Sequence, residues 1–529
     1  MLWDTKPKMM PVGILLGMHK LDAGRILGQP SNSLPPSCPQ TPGSIVAGHA
    51  QSEDCLFATI YVPHGKAPSG GWSTFVWCVF CLGLDNTLNK FRIHGGSFIE
   101  GGIAAPGLDG SKLATGGNVI VIFIQYRLGV LGLLPPALSS TAADPNLALK
   151  DVVVALKAIH KYINQIGGNK RKITVGGQST GATIIRALLG VPKATGLFRG
   201  AILHSDPMTY GFASQNITEQ IQAAFFSKKP WSNCSTLDCM KAISLSTLIT
   251  AQDTLFNTVI YDIGGIPASQ PVRPTFHTDT LPQDPTDQLF NNPSSLTYPP
   301  SSIPLLLTTT KNEGGSAVGS IFSAPVTLSN DTYYAIAAKL NGAGRAAAII
   351  DSPYYALPPA NHSSMDYGPS GDTFREVFEK AVTQGVWTCP NRDVAQSWQQ
   401  SGGHVWVGEW TQGITYPENE LISYCHKSGI VCHQDDIYAT FGTAPSPTVN
   451  VSSLEEAVVA HWAAFITYLN PNPPSSNCFK MKWNEYFKIR WKEYSLKENV
   501  FSLGENQVSR CPDRFWGRTS LYDWQLYRQ

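Results

Sequence analysis

Short apolar runs alternate with helical patterns of apolar residues along the middle of the chain. Residues 119–124 form a continuous β-branched and aromatic run, which is typical of a strand buried on both faces. Residues 173–175, 201–203, 305–307 and 405–407 are further strand candidates, and residues 182–189 have a helical pattern. Residues 151–166 carry apolar side chains at helical spacing, namely Val152, Leu156, Ile159, Ile163 and Ile166. The alternation predicts an α/β fold with a mostly parallel central sheet flanked by helices.

The periodicity weakens in two long stretches, at about residues 207–300 and 315–400, where Pro, Ser and Asn become frequent. We interpret both stretches as large insertions that cap the functional site, rather than as separate domains. We therefore expect a single domain over residues 36–529. Residues 1–35 form an atypical N-terminal segment, which we expect to be incomplete or disordered.

Composition and charge exclude several classes of function. Charged residues make up 15% of the 529 residues and the net charge is +1, so the overall charge gives no sign of the basic surface that nucleic-acid binding requires. One basic cluster lies at residues 480–497, and Glu485, Glu493 and Glu498 dilute its charge. The longest apolar run, residues 75–84, is far too short to span a membrane. We expect no nucleic-acid partner and no stable membrane span.

Eleven cysteines and five Asn-x-Ser/Thr sequons indicate an oxidising compartment. The N-terminus is not a clean signal peptide, because its apolar patch at residues 9–18 is short and is interrupted by Pro11 and Gly13. We nevertheless expect a secreted glycoprotein. The candidate glycosylation sites are Asn216, Asn233, Asn330, Asn361 and Asn450.

The stretch Gly-Gln-Ser-Thr-Gly at residues 177–181 lies between a predicted strand and a predicted helix. A serine on such a sharp turn is forced out above the end of the sheet, and the glycines on either side remove Cβ atoms that would collide there. This is the context of a nucleophile elbow. The motif alone is weak, because a Gly-rich turn can also carry a solvent-facing serine.

A nucleophilic serine needs a histidine base, an acid that orients the histidine, and donors for an oxyanion. The chain supplies them in the order serine, acid, histidine that this elbow motif requires. Glu313 follows the strand predicted at residues 305–307, and His433 lies in a polar turn before a helical segment. Upstream, His-Gly-Gly-Ser-Phe at residues 94–98 offers bare backbone amides for the oxyanion.

Other residues compete for some of these roles. His426 is an alternative base, whereas we expect His94 to be structural. Asp435 and Asp436 beside His433 suggest a metal site, but no second cluster of histidine and aspartate has the spacing of metal ligands. We therefore expect no metal and no cofactor.

Together these motifs resemble those of the type-B carboxylesterase and cholinesterase family, most closely its fungal secreted esterases. The matching stretches lie between about residues 38 and 515, at 52–56, 92–98, 126–129, 167–169, 177–182, 312–314 and 433–442. The resemblance implies an α/β-hydrolase fold in which Ser179 is the nucleophile, Glu313 the orienting acid and His433 the general base. It also implies an oxyanion hole made by the backbone amides of Gly96, Ser97 and Thr180.

The same resemblance implies four disulfides, although the residues alone leave the connectivity open. It pairs Cys38 with Cys55, Cys234 with Cys239, Cys389 with Cys511, and Cys425 with Cys432. Cys78, Cys81 and Cys478 are left over.

Residues 70–89 depart from the family pattern. They stand where a core strand should run directly into His94, and they contain the unpaired Cys78 and Cys81. We interpret this apolar segment as an insert that arises from untrimmed non-coding sequence or an error in the gene model. Such an insert would displace the neighbouring oxyanion loop.

The sequence constrains the substrate only weakly. Residues 38–55 contain no Phe, Trp or Tyr to bind a quaternary ammonium, and Gln178 rather than an acid precedes Ser179. We therefore predict hydrolysis of small-molecule or lipid-like carboxylic esters through an acyl-enzyme, and not a dedicated choline esterase. The alternatives are a lipase with long-chain preference, a non-catalytic cholinesterase-like binding or adhesion module, and a serine carboxypeptidase. The oligomeric state stays open.

Overall fold

A computed structural model describes residues 12–13, 34–42, 44–46, 48–79, 97–136, 144–263, 270–326, 329–341, 343–357, 372–474, 489–495, 499–512 and 515–516. Nine strands form one sheet in the order β1-β2-β4-β3-β5-β6-β7-β8-β9. The strands are β1 (Val12–Gly13), β2 (Ala58–Tyr61), β3 (Trp72–Cys78), β4 (Ile120–Ile124), β5 (Gly168–Gln178), β6 (Gly200–His204), β7 (Leu305–Thr310), β8 (Val405–Trp410) and β9 (Val500–Leu503).

Helices connect these strands and cover both faces of the sheet. They are α1 (Ser111–Gly117), α2 (Gly129–Leu133), α3 (Leu147–Tyr162), α4 (Thr180–Leu188), α5 (Gln215–Phe226), α6 (Leu237–Lys241), α7 (Leu245–Asp262), α8 (Pro285–Asn291), α9 (Gly315–Ile321), α10 (Asn330–Asn341), α11 (Ala343–Asp351), α12 (Thr373–Thr383), α13 (Cys389–Gln400), α14 (Ile437–Phe441) and α15 (Val449–Tyr468). Helices α5 to α8 and α9 to α13 occupy the two stretches where the sequence periodicity weakens.

The sheet is mostly parallel. Among the described strands, β2 and β4 form the one antiparallel pair, and all other neighbouring strands pair in parallel. In register, Gln178 at the end of β5 faces His204 at the end of β6, which in turn faces Thr308 of β7. The carboxyl ends of the central strands therefore meet at one edge, where ligands bind in open α/β sheets.

Strand β4 shows how the sheet is buried between two layers. All five of its residues are buried. Ile120, Ile122 and Ile124 belong to a core that includes residues of α3 and α4, whereas Val121 and Phe123 belong to a core on the other face that includes residues of α1 and α15. Because successive side chains of a strand point to opposite faces, a continuous apolar run supplies both cores.

The mostly parallel sheet flanked by helices confirms the predicted α/β architecture. The predicted strands correspond to β4, β5, β6, β7 and β8, and the apolar stripe of residues 151–166 lies on α3 and the 3-10 turn that follows it. Of residues 1–35, the structure describes 12–13 and 34–35.

The structure corrects the interpretation of residues 70–89 as an insert where it describes them as a strand, at residues 72–78. Trp72–Cys78 is β3, a fully buried strand that pairs in parallel with both β4 and β5 at the centre of the sheet. These residues are the core strand that was expected to lead towards His94, so the segment begins as part of the fold. Residues 80–96, which include His94 and Gly96, lie outside the described residues.

Four disulfides join the cysteine pairs that the family resemblance implies: Cys38 with Cys55, Cys234 with Cys239, Cys389 with Cys511, and Cys425 with Cys432. Cys78 is a buried free thiol in β3, while Cys81 and Cys478 lie outside the described residues. No helix in the described part of the chain is long and apolar enough to cross a membrane.

Candidate active site

Ser179 lies in a sharp turn between β5 and α4. Its backbone has φ 55° and ψ −125°, in the positive-φ region that a residue other than glycine rarely adopts. Its amide donates to the carbonyl of His204 at 2.9 Å, and its carbonyl accepts from the Thr183 amide at 3.0 Å. A Cβ atom on Gly177 would lie 2.4 Å from the carbonyl carbon of Gly181. The tight crossing of strand and helix therefore requires the first glycine of the motif.

Glu313 and His433 meet at the same edge of the sheet. The Glu313 carboxylate contacts His433 Nδ1 through Oε2, and its other oxygen accepts from the Thr310 amide at 2.8 Å. Both side chains are buried. An ionised carboxylate only accepts hydrogen bonds, so this contact assigns the proton of the neutral imidazole to Nδ1 and places the lone pair, which a base needs, on Nε2.

The Nε2 atom of His433 lies 3.2 Å from the side-chain nitrogen of Gln178, the residue before Ser179. With the proton on Nδ1, Gln178 donates to this lone pair. The structure thus brings His433 to the elbow through Gln178, and within the described residues no hydrogen bond joins the Ser179 hydroxyl to His433. The Trp387 ring packs 5.4 Å from the His433 ring.

The loop that carries His433 is fixed by hydrogen bonds. Asn419 donates to the His433 carbonyl and to the Asp435 carboxylate, both at 2.8 Å. The Asp435 carboxylate also accepts from the Tyr416 and Cys432 amides, each at 2.8 Å. Burial raises the pKa of Asp435 to about 7, against the lowering effect of these donors. The disulfide to Cys425 holds the residue immediately before His433.

The candidate oxyanion donors are only partly described. Ser97 and Phe98 are buried and have positive φ angles of 46° and 67°. Thr180 is the first residue of α4, so its amide has no acceptor within the helix, and a helix N-terminus favours a negative charge. Gly96 lies outside the described residues.

The competing histidine lies elsewhere. The His426 ring contacts the carbonyl of Glu420 at 2.9 Å in an exposed position, and no contact joins it to Ser179 or Glu313 among the described residues. Within the same residues, no group of three His, Cys, Asp or Glu side chains has the arrangement of a metal site.

Comparison with known proteins identifies the family. The family model described as "Carboxylesterase family" matches residues 30–515. The chain belongs to the carboxylesterase family. This finding confirms the predicted resemblance and the prediction of a serine hydrolase that cleaves carboxylic esters.

Individual carboxylesterases show how the chain relates to the family. Para-nitrobenzyl esterase of Bacillus subtilis (strain 168) is 34% identical over 297 residues, which cover 55% of this chain and 52% of that protein. The match thus spans about half the length of that relative. Liver carboxylesterase 1 of Mus musculus is 23% identical over 497 residues, 90% of this chain and 80% of that protein. A solved structure titled thermophilic PNB esterase superposes with a TM-score of 0.65 at 24% identity, covering 90% of this chain and 86% of that one, and supports the fold.

This carboxylesterase has a second buried histidine at the site that sequence reasoning missed. His204, at the end of β6, contacts the Asp436 carboxylate through Nδ1 at 2.6 Å, and the Trp462 indole donates to its Nε2 at 3.1 Å. Its Nε2 accepts from the buried Trp462 indole and does not face the side chains of the elbow, so His204 is not placed to take the Ser179 proton. Instead it links the strand beside Ser179 to the loop that follows His433. Asp436 was visible in the sequence, but its partner is 232 residues away.

Proposed function

We propose that Ser179, His433 and Glu313 carry out the ester hydrolysis of this carboxylesterase. The observation that carries the proposal is the contact of Glu313 with His433 Nδ1 while Nε2 faces the elbow residues. The other buried histidine with a carboxylate partner, His204, directs its Nε2 to the Trp462 indole and not to the side chains of the elbow. The positive φ of Ser179 supports the same role, because strained backbone of this kind clusters at functional sites.

In the proposed reaction, the Ser179 hydroxyl attacks the ester carbonyl carbon while its proton passes to His433 Nε2. Glu313 stabilises the imidazolium that forms, and the backbone amides of Gly96, Ser97 and Thr180 donate to the negative oxygen of the tetrahedral intermediate. The imidazolium then gives its proton to the leaving alcohol, and an acyl-enzyme remains. Water, activated by the same histidine, attacks this acyl group and regenerates Ser179.

The hydrogen bond from Gln178 occupies the Nε2 lone pair in this structure. The proposed proton transfer requires the imidazole to exchange Gln178 for the Ser179 hydroxyl when substrate binds. Catalytic hydrogen bonds that are long in the free enzyme often tighten only in the substrate complex, so this resting arrangement is compatible with the mechanism.

We propose small-molecule or lipid-like carboxylic esters as substrates. The printed name of the Bacillus relative, a para-nitrobenzyl esterase, supports a small aromatic ester as a first test compound. The loop closed by Cys38 and Cys55 supplies no Phe, Trp or Tyr face for a quaternary ammonium, which argues against choline esters.

We further propose that the protein is a secreted glycoprotein. Four disulfides are typical of proteins that fold in oxidising compartments. The candidate glycosylation sites Asn216, Asn233, Asn330 and Asn450 are exposed, while Asn361 lies outside the described residues. Treatment of the expressed protein with an N-glycosidase, followed by a mass shift on a gel, tests this proposal; an unchanged mass would contradict it.

The catalytic proposal is tested by turnover of p-nitrophenyl acetate, butyrate and palmitate with purified protein. Ser179→Ala and His433→Ala should each lower kcat by at least about 10⁴-fold, because members of a triad act as a unit. His426→Ala is the matched control for the second substitution and should leave kcat within about twofold of the original. Equal rates for Ser179→Ala and the unchanged protein would refute the assignment. Preference for acetate or butyrate over palmitate would favour an esterase over a lipase.

A further inference from the structure

Two side chains of α12 form hydrogen bonds with the turn that carries Glu313. Thr383 accepts a hydrogen bond from the Gly314 amide at 2.7 Å, and Glu379 accepts one from the Asn312 side-chain amide at 3.0 Å. The Thr383 hydroxyl donates to the other oxygen of the Glu379 carboxyl group. Residues four apart on a helix share a face, so the pair reaches both neighbours of Glu313 at once. We call Glu379 and Thr383 the α12 clamp.

The α12 clamp also reaches the loop that carries His433. Asn312, which Glu379 holds, donates its backbone amide to the Val431 carbonyl at 2.9 Å. The Val431 amide in turn donates to the Asn312 side-chain oxygen at 3.1 Å. Val431 precedes His433 by two residues in the sequence. One hydrogen-bonded cluster therefore fixes the acid and the base relative to each other.

Glu379 is a second carboxyl group beside the acid of the site. Its side chain is buried at the start of this cluster, and the titratable groups that face it are Glu313 from the turn after β7, Glu376 from its own helix and Tyr424 from the Ser423–His426 turn. Among the described residues no lysine or arginine forms an ion pair with it. Burial, with smaller contributions from Glu313 and Glu376, raises the pKa of Glu379 to about 7, although Thr383 and Asn312 oppose this.

We propose that Glu379 is a positioning residue of this esterase: with Thr383 it holds the turn that carries Glu313, and its negative charge, when present, adds to that of Glu313. The inference rests on the proposed function, in which neutral His433 is the base. No bond is made or broken at Glu379. Its effect is electrostatic and geometric, and these two contributions are separable by substitution.

The electrostatic contribution predicts a particular pH dependence. The acidic limb of the kcat/KM profile reports protonation of the base in the free enzyme. A second negative charge beside Glu313 stabilises a positive charge on the base, so if Glu379 changes its charge within the same pH range, the acidic limb should be shallower than that of a single ionisation. Removal of the Glu379 charge should steepen this limb and move it to lower pH.

Three variants separate charge from geometry, with kcat/KM for p-nitrophenyl butyrate measured between pH 4.5 and 9. Glu379→Gln keeps an acceptor for Asn312 and removes the charge, and it should move the acidic limb down by about 0.5 pH unit or more. Glu379→Asp keeps the charge on a shorter side chain. Thr383→Val removes the bond to Gly314 without a change in charge. The last two should lower kcat about 3- to 30-fold and leave the slope and position of the limb near those of the unchanged protein.

A Glu379→Gln profile that superposes on that of the unchanged protein overturns the inference, as does an equal shift in Thr383→Val. If Glu379→Gln does not fold, the profile of the unchanged protein tests the inference. An acidic limb of kcat/KM with the slope of a single ionisation overturns it. Failure of the proposed function is recognised separately, because then Ser179→Ala and His433→Ala would retain activity. A profile that depends on Ser179 and His433 but not on Glu379 refutes only the role of Glu379.

Discussion

The disulfides Cys389–Cys511 and Cys425–Cys432 should differ in what they contribute to stability and to activity. The first closes a separation of 122 residues and the second a separation of 7 residues. In the chain-entropy model, these separations correspond to about 4.9 and about 2.4 kcal/mol of stabilisation, because a longer loop loses more conformational entropy in the unfolded chain. By loop length alone, the short disulfide is the less important of the two.

For activity, the position of Cys425–Cys432 makes it the more important of the two disulfides. Cys432 immediately precedes His433, and Cys425 lies in a 3-10 turn that packs Ile422 and Tyr424 into one small buried cluster with both sulfurs. Removal of the bond frees the residue next to the base, and a displacement of about 1 Å in a catalytic group costs on the order of 10²-fold in rate. We therefore expect Cys425→Ser/Cys432→Ser to lower kcat/KM by about 10- to 100-fold.

The assay compares this double variant with Cys389→Ser/Cys511→Ser, so that both lose one disulfide and gain two hydroxyls. Urea midpoints report stability, and kcat/KM for p-nitrophenyl butyrate at 20 °C, about the temperature of greatest stability, reports the site of the folded fraction. The second variant should lose more stability but keep kcat/KM within about threefold. The reasoning is refuted if the loss of Cys425–Cys432 leaves kcat/KM unchanged, or if it lowers the urea midpoint more than the loss of Cys389–Cys511.

Three further outcomes are expected. Gly177→Ala should abolish esterase activity or soluble expression, since the new methyl group meets backbone atoms of α4, whereas Gly116→Ala, whose nearest contact is 3.4 Å away, should be tolerated in the same expression and activity tests. Gln178→Glu places a carboxylate beside His433 Nε2 and should move the acidic limb of kcat/KM up by about one pH unit; a downward shift contradicts the arrangement. Burial lowers the pKa of His461 from 6.5 to about 4. Between pH 6.5 and 4 the imidazole is therefore protonated in the unfolded state and neutral in the folded state, so up to about 3 kcal/mol of folding stability is lost as the pH falls through this range. Urea titrations of His461→Gln at both pH values should show a smaller loss than in the unchanged protein.

The sheet and the elbow could be predicted from the sequence because short-range patterns of apolar residues and glycines indicate both. The buried run that became β4 and the stripe along α3 need no knowledge of distant residues. Residues 72–78 have the same strand-like pattern, but the departure from the family pattern in this stretch leads to their interpretation as part of an insert. Their place in the sheet depends on pairing with β4 and β5, whose partner residues lie 46 or more positions away along the chain.

The candidate site shows the same division between local and distant information. Glu313 and His433 stand in recognisable turns, and their order after Ser179 follows from the elbow motif. Glu379 stands in an ordinary helical pattern, and its bond to Asn312 joins residues 67 positions apart. His204 ends a strand that was itself predicted, but its ring partners are set by how α15 and the loop after His433 pack on the sheet. The spacing of residues along the chain does not predict such contacts.

His204 has a consequence for how the family can diversify. Its carbonyl holds the Ser179 amide, its ring holds Asp436, and the Trp462 indole completes the ring's hydrogen bonds. A substitution at position 204 alone would leave a buried carboxylate and a buried indole nitrogen without this partner, which is costly because neither group can reach solvent in its place. Evolution should therefore replace the residues at 204, 436 and 462 as a set, and a multiple alignment should show these three positions covarying.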